Sequence, residues 1–403
     1  MKIAVCQINP IIGDVNGNKE KIIAGYLRAV EDGADMAVFP ELALTGYPPL
    51  DFVEKKRFRH KVAEAAAGIA SVTNDHTALV FGSITEFEDN IGTNIENSAL
   101  FCIGGRIAEV QNKSLIPNYD VFDEVRYFEA ADEVKVFDFK GEKIGLSVCE
   151  DIWNDEDYWK KRLYPVDPVK QQIEKGATLL VNISASPYSY GKRKSRYKML
   201  QTIARKDKVG IIYVCCAAAQ TELIFDGASM CFKENGDLMR IGNTFEEDYF
   251  IYDTISEGEP VTTVEGSFEE EVHNALVFGL KDYCNKLNFK SICLGLSGGI
   301  DSAIVTYFAV KAIGAENVFV NLMPSEFSSQ GSIDDSLKLI YNLGISHSMV
   351  SVQPVFETVK TMLKPVFGDR PEDVTEEIMQ SRVRGLYMMA ISNKFGHLLV
   401  TTG

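Results

Sequence analysis

Cysteine is sparse in this chain, at 8 of 403 residues. Five of the eight (Cys6, Cys102, Cys215, Cys231, Cys293) lie inside apolar stretches and read as reduced core thiols. A disulfide framework is excluded by their low density and irregular spacing, and no C-x-x-C or Cys/His cluster suggests zinc. Positive charge is also short: 41 Lys and Arg face 57 Asp and Glu, a formal net charge of −16. Such a surface repels phosphate backbones, so no nucleic-acid partner is expected. No apolar run approaches the roughly 20 residues needed to span a bilayer, and no membrane partner is expected. The opening MKIAVCQINP reads as a strand and a turn without a signal-peptide cleavage pattern, so the expected location is cytoplasmic. No internal repeat or low-complexity tract is present. The remaining composition, 46% apolar and 24% charged, is that of an ordinary globular chain. At about 100–200 residues per domain, the length predicts two or three domains.

Short apolar runs recur throughout. Residues 2–8, 36–39, 77–84, 98–103, 143–149, 178–184 and 210–216 read as strands. Several are apolar on consecutive residues, as strands covered on both faces are. Residues 17–31, 55–71 and 193–208 read as helices, and 86–112 and 228–253 as meanders. These segments make one mixed α/β domain over 1–253. An acidic stretch interrupted by Gly and Pro marks a linker at 254–270. Within it, Ser267 and Glu270 form a capping-box pattern that opens a helix. From 271 to 403, strands at 291–296, 317–323, 347–352 and 397–402 alternate with helices at 301–313, 330–343 and 375–394. That alternation predicts a doubly wound parallel sheet. The chain stops at the C-terminal end of its last strand, where such sheets carry ligands, so a partial second domain is expected.

The most specific motif is Gly295-Leu296-Ser297-Gly298-Gly299-Ile300-Asp301-Ser302, after a strand and opening a helix. Backbone N–H groups of a Ser-Gly-Gly turn at a helix N-terminus form an anion nest. Glycine permits close approach of a phosphate. Ser297 and Ser302 add hydroxyls, and Asp301 is suited to Mg²⁺. The Lys of a Walker A loop and the glycine spacing of the dinucleotide fingerprint are both missing. S-G-G-x-D-S resembles the pyrophosphate loop of the ATP pyrophosphatases, which implies activation of a carboxylate or carbonyl oxygen as an adenylate. A plain capped strand–helix turn is the bland alternative.

Three segments of the first domain place chemistry at strand ends. Glu41 stands in Phe39-Pro40-Glu41-Leu42. Lys113 opens Lys113-Ser114-Leu115-Ile116-Pro117-Asn118-Tyr119, followed by Val121 to Phe128. Cys149 opens Cys149-Glu150-Asp151-Ile152-Trp153. The thiol suits attack on a side-chain amide carbon, the ammonium suits an oxyanion, and the carboxylate suits proton transfer. A neighbouring cation is expected to favour the thiolate. Singly, each residue is ordinary: a core thiol, a solvated lysine, a turn-capping glutamate. Together the segments resemble the glutaminase domain of the nitrilase superfamily over roughly residues 1–250.

A nitrilase-type glutaminase followed by a pyrophosphate loop resembles the glutamine-dependent NAD⁺ synthetases. Met323-Pro324-Ser325, Ser328-Ser329, Gln380-Ser381-Arg382-Val383-Arg384-Gly385 and Leu399-Val400-Thr401-Thr402-Gly403 match further segments of that family. The resemblance implies a four-layer α-β-β-α sandwich, then a Rossmann-like adenine-nucleotide α-hydrolase domain. It implies hydrolysis of glutamine through a Cys149 thioester, passage of ammonia through an internal tunnel, and ATP- and Mg²⁺-dependent amidation of deamido-NAD⁺. By the same resemblance, Glu41 is the base, Lys113 the oxyanion partner and Cys149 the nucleophile. Tyr119, Ser186 and Lys192 bind glutamine, although Lys192 also opens a charge run that reads as a solvated face. Residues 295–302 and Thr402 bind ATP, Asp301 binds the metal and Arg382 contacts deamido-NAD⁺. A homo-oligomer is expected.

Two departures stand out. Ile378 occupies a position where the family carries Asn, and no N-K-S-E continuation follows Thr402-Gly403. Two other readings stay open: another acceptor for the pyrophosphate loop, or an amidase joined to a nucleotide-sensing module.

Overall fold

The consecutive apolar runs become largely buried strands, joined by less buried edge strands at Arg106–Asn112 and Val136–Phe139. In chain order these are β1 (Lys2–Gln7), β2 (Met36–Val38), β3 (Ala78–Glu86), β4 (Ile95–Ile103), β5 (Arg106–Asn112), β6 (Val136–Phe139) and β7 (Glu142–Val148). They continue with β8 (Leu179–Ser184), β9 (Gly210–Cys215), β10 (Ala217–Gln220), β11 (Leu223–Asp226), β12 (Met230–Phe232), β13 (Leu238–Ile241) and β14 (Asp248–Asp253). The helices among them are α1 (Val15–Glu31), α2 (Lys56–Ala70), α3 (Pro168–Glu174) and α4 (Lys192–Asp207). This computed structural model describes residues 1–87, 92–255, 257–262, 266–326 and 328–402. It divides into two units, Met1–Ala275 and Leu276–Gly403. The linker expected at 254–270 lies partly outside the described residues, as does Gly403.

In the first unit two six-stranded sheets run β14-β1-β2-β3-β4-β5 and β13-β12-β9-β8-β7-β6. Read as 6-7-8-9-12-13, the second repeats the strand directions of the first: antiparallel, parallel, parallel, antiparallel, antiparallel. The backbone thus repeats although the sequence carries no repeat, because packing constrains apolar character and not residue identity.

Alternation of side chains across each strand sorts the core into layers. Ile3, Val5, Met36, Val38, Val80 and Phe101 meet Ile144, Leu146, Val148, Val181, Ile183 and Val214 between the sheets. The intervening residues Ala4, Ala37, Phe39, Leu79 and Phe81 pack outward on Ile22, Tyr26 and Val62 of α1 and α2. Leu180, Ile211 and Tyr213 pack on Met199, Leu200 and Ile203 of α4. The layers are therefore α-β-β-α.

The remaining elements are α5 (Phe268–Lys286), β15 (Ile292–Gly295), α6 (Ile300–Ile313), β16 (Val318–Leu322), α7 (Gln330–Leu343), β17 (Ser346–Met349), α8 (Gln353–Phe367), α9 (Val374–Phe395) and β18 (Leu398–Leu399). Ser267 Oγ accepts from Glu270 N at 3.2 Å, the N-cap bond that opens α5. The strands of the second unit form an all-parallel sheet in the order β17-β16-β15-β18. Helix α8 occupies residues that the sequence pattern leaves without an element. Its two prolines disguise it, yet Pro354 falls in the first turn, where no intrahelical N–H is needed. Among the described residues no helix is long and apolar enough to cross a membrane.

Candidate active sites

The first site gathers at the ends of β2, β5, β7 and β8. Glu41 follows β2 and is wholly buried. Its loop crosses β3 at Gly82, where a Cβ would stand 2.1 Å from Leu42 N and 2.6 Å from Glu41 Cα. Only glycine permits that approach. Lys113 follows β5 and is also wholly buried. Its Nζ donates to Glu41 Oε1 at 2.9 Å and to both oxygens of Glu124 at 2.8 and 2.9 Å. Asn97 Nδ2 donates to Glu41 Oε1 at 2.7 Å, and Ala185 N, just past β8, donates to Glu41 Oε2 at 2.7 Å. Tyr47 OH donates to Glu124 Oε1 at 2.8 Å.

Cys149 directly follows β7 with a φ of +44°, a left-handed backbone that costs a non-glycine residue. Such strain persists only where the surroundings over-determine it, and it concentrates at functional sites. Burial and then the Glu41 charge push the thiol well above its ordinary value, against the pull of Lys113. The Lys113 cation favours the thiolate, as the sequence suggests, while desolvation and the charges of Glu41, Glu150 and Glu124 act in the opposite direction. Burial also works against the Lys113 ammonium, but Glu124 and Glu41 reverse that effect and hold its proton more firmly than in free lysine.

Next to the sulfur, Glu150 Oε1 accepts from Tyr119 OH at 2.7 Å and Tyr164 OH at 3.2 Å. Asp151 accepts from three backbone N–H groups, and burial raises its carboxyl to about 7. Ser186 is buried just beyond β8. Lys192, the first residue of α4, donates to Pro187 O at 3.0 Å and lies 5.5 Å from the centre of the Trp153 ring. Burial lowers its pKa. No carboxylate among the described residues is paired with it.

In the second unit the loop after β15 is held by its own hydroxyls. Ser302 Oγ accepts from Ser297 N at 3.2 Å and donates to Gly299 O at 3.0 Å. Gly298 has φ +83°, and a Cβ there would stand 2.4 Å from Ser332 O of α7. A cavity of about 480 Å³ opens beside the loop, lined by Gly295, Leu296, Ser297, Met323, Ser332, Arg384 and Thr402 among others. Gly298, Gly299, Ile300, Asp301 and Ser302 form the adjoining turn and helix start and do not line it. Arg382 is exposed on α9 outside this lining, whereas Arg384, two residues further, belongs to it. Among the described residues no three His, Cys, Asp or Glu side chains converge as a metal cluster.

Residues 2–258 match the carbon-nitrogen hydrolase family, and residues 272–403 match the NAD synthase family. The glutamine-dependent NAD(+) synthetase of Synechocystis sp. is 41% identical over 409 residues, which take in all of this chain and 73% of the relative. This chain belongs to the glutamine-dependent NAD⁺ synthetase family. The Thermotoga maritima member is 37% identical over 441 residues, covering all of this chain and 74% of its own length. The solved structure of the Acinetobacter baumannii member, in complex with ADP, superposes with a TM-score of 0.90 at 34% identity, over 100% of this chain and 74% of that one. A nitrilase-superfamily amidase from Nesterenkonia shares 21% identity and a TM-score of 0.53 over 62% of this chain, a likeness of fold alone.

The chain is thus an enzyme of the synthetase family, a nitrilase-like domain followed by an NAD synthase domain with a parallel sheet. Sequence reasoning missed Glu124, Asn97, Tyr164 and Arg384. Glu124 stood inside a quoted segment, but nothing in the sequence reveals that its carboxylate turns inward onto Lys113, 11 residues away.

Proposed function

We propose that this synthetase-family chain makes NAD⁺ from deamido-NAD⁺ with ammonia released from glutamine, the glutaminase lying within 1–253 and the synthetase within 271–403. The observation that carries the reading is the fully buried Lys113 ammonium between two carboxylates, near a strained cysteine, in a chain that also holds a phosphate loop.

The thiol of Cys149 passes its proton to Glu41 as the sulfur attacks the glutamine side-chain amide carbon. Proton removal by Glu41 accompanies attack. Lys113 faces the oxyanion of the tetrahedral intermediate, in a dry site where one such donor supports about 10²–10³ in rate. Glu41 returns the proton to the departing ammonia, leaving a Cys149 thioester. Water, deprotonated by Glu41, then releases glutamate. Tyr119 and Ser186 are assigned to glutamine, and Lys192, paired with no carboxylate among the described residues, supplies a cation for the α-carboxylate of glutamine.

In the second unit the nest of residues 295–302 and Thr402 would hold ATP, in line with the ADP bound by the Acinetobacter relative. The nicotinate carboxylate attacks the α-phosphate, pyrophosphate leaves, and ammonia displaces AMP. Arg382 is the residue assigned to deamido-NAD⁺. Asp301 is an exposed hard-oxygen ligand at a helix N-terminus. That donor set fits Mg²⁺, which keeps much of its water and is held by one or two carboxylates plus substrate phosphates. When bound, the ion would neutralise charge on the departing pyrophosphate. An assembly of identical copies and a cytoplasmic location belong to the same reading.

The test follows glutamate release from glutamine, and Mg²⁺-dependent ATP binding, in wild type, Cys149→Ala and Asp301→Ala. Cys149→Ala is expected to release no glutamate while melting as a folded protein. Asp301→Ala is expected to lose the gain in ATP affinity that Mg²⁺ confers. Glutamate release by Cys149→Ala at the wild-type rate would overturn the first assignment. An unchanged magnesium titration would overturn the second.

A further inference from the structure

Asp151 is a fully buried acid that the proposed chemistry does not use. It is the third residue of the short turn Cys149–Ile152 and is 1% exposed. Its Oδ1 accepts from Ser114 N at 2.9 Å and Leu115 N at 2.8 Å, and its Oδ2 accepts from Val148 N at 2.9 Å. Ser114 and Leu115 directly follow Lys113, and Val148 directly precedes Cys149. One carboxylate therefore grips the backbone beside both groups.

A turn cap would bond only within its own turn. Two of these three bonds instead reach a segment 36 and 37 residues away in sequence. The other backbone bonds of Lys113 are to its own sheet and loop: Lys113 N donates to Asn97 O at 2.8 Å, and Ala131 N donates to Lys113 O at 2.9 Å. Those bonds fix Lys113 relative to β4, and Asp151 adds a direct hydrogen-bonded link from the Lys113 segment to the end of β7. Cys149, for its part, sits in a left-handed conformation that relaxes unless held. Aspartate fits the task chemically. Both its oxygens accept when ionised, whereas asparagine offers one acceptor and turns an NH₂ toward a third N–H. The ionised form, which predominates above the raised value of about 7, makes these bonds stronger than neutral ones.

We infer that Asp151 is a positioning residue that sets the distance between the Cys149 sulfur and the Lys113 ammonium by tying their backbones together. This inference rests on Cys149 and Lys113 being the reacting groups proposed above. Its consequence concerns geometry rather than substrate affinity. Glutamine is bound by other residues, so loosening the tie misplaces the oxyanion partner without emptying the pocket.

The experiment measures kcat and KM for glutamine in the full chain for wild type, Asp151→Asn, Asp151→Ala and Cys149→Ala, with thermal melting as the fold control. Asp151→Ala is expected to lower kcat about 10²-fold with KM within about twofold, the size of effect that an ångström of misplacement produces. Asp151→Asn keeps two of the three bonds and should fall between Asp151→Ala and wild type. A folded variant with wild-type kcat, or one whose loss lies wholly in KM, would refute the inference. If Asp151→Ala does not fold, Asp151→Asn decides by the same split. Should Cys149→Ala remain active, the underlying reading fails and this inference with it. Should Cys149→Ala be inactive while both Asp151 variants keep their kcat, the positioning role alone is wrong.

Discussion

Replacing Lys113 with methionine tests whether the first site is held by charge compensation. Wild type buries one ammonium against two carboxylates, with Nζ–O distances of 2.9 Å to Glu41 and 2.8 Å to Glu124. Methionine fills most of the lysine's volume, so cavity formation is a small part of the effect. What remains is two buried carboxylates without a cation. Removing one partner of a buried pair costs about 3–5 kcal/mol. At about 2–4 °C per kcal/mol for a unit of this size, the melting temperature should fall by roughly 6–20 °C. The sign of the pH dependence follows from Glu124. Burial raises its pKa above the ordinary carboxylate value, Lys113 opposes that rise, and Glu41 adds to it. A carboxyl raised in the folded state gives stability that is fully present below its unfolded pKa and is lost as pH climbs through the folded pKa. In Lys113→Met the opposing cation is gone and Glu124 rises further. The deficit relative to wild type should therefore be largest near pH 8 and shrink toward pH 5. A second substitution, Glu124→Gln, should restore part of the stability but none of the glutaminase activity. Calorimetry at several pH values with a parallel glutamate assay reads both. A deficit that is independent of pH, or no rescue by Glu124→Gln, would refute the charge argument even if activity were lost.

Other expectations are simpler. Gly82→Ala drives a Cβ into the Glu41 loop at 2.1 Å from Leu42 N, so it should destabilise the first unit by more than the usual ~1–3 kcal/mol of overpacking. Glutaminase activity should fall with it, and wild-type melting and activity would show that the loop has room to shift. Gly298→Ala places a methyl 2.4 Å from Ser332 O at a φ of +83°, which should open the nest and weaken ADP binding. Calorimetric titration showing unchanged ADP affinity would mean that the turn does not depend on this glycine.

Strands such as β1, β3, β8 and β9 were legible because they are apolar on consecutive residues, a pattern that burial on both faces imposes, whereas β6, β10 and β11 were not read. Helix α8 was not, since its two prolines and a following glycine imitate a loop in sequence. The repeated strand order of the two sheets was equally hidden, because direction and pairing are properties of the backbone. Residues 295–302 and the segments around Glu41, Lys113 and Cys149 were recognisable because their chemistry needs particular residue types at fixed local spacing. The opposing influences on Cys149 were not legible, because sequence places a cation nearby but does not count the three carboxylates folded in around it.

Sequence alone determined the mixed α/β character and the alternating second unit through local patterns of apolarity, and the phosphate loop through a short motif, while the layered sandwich and the roles assigned at the first site came from the family resemblance those motifs carry. Only the tertiary structure decided that Glu124 and Asn97 complete the site, that Gly82 makes room for Glu41, and that Asp151 ties Lys113 to Cys149. Those relations join residues tens of positions apart, with Lys113 and Glu41 separated by 72. Hydrogen bonds and charge pairs act over a few ångströms of space, and no local pattern in a chain encodes which distant segments will meet at that range.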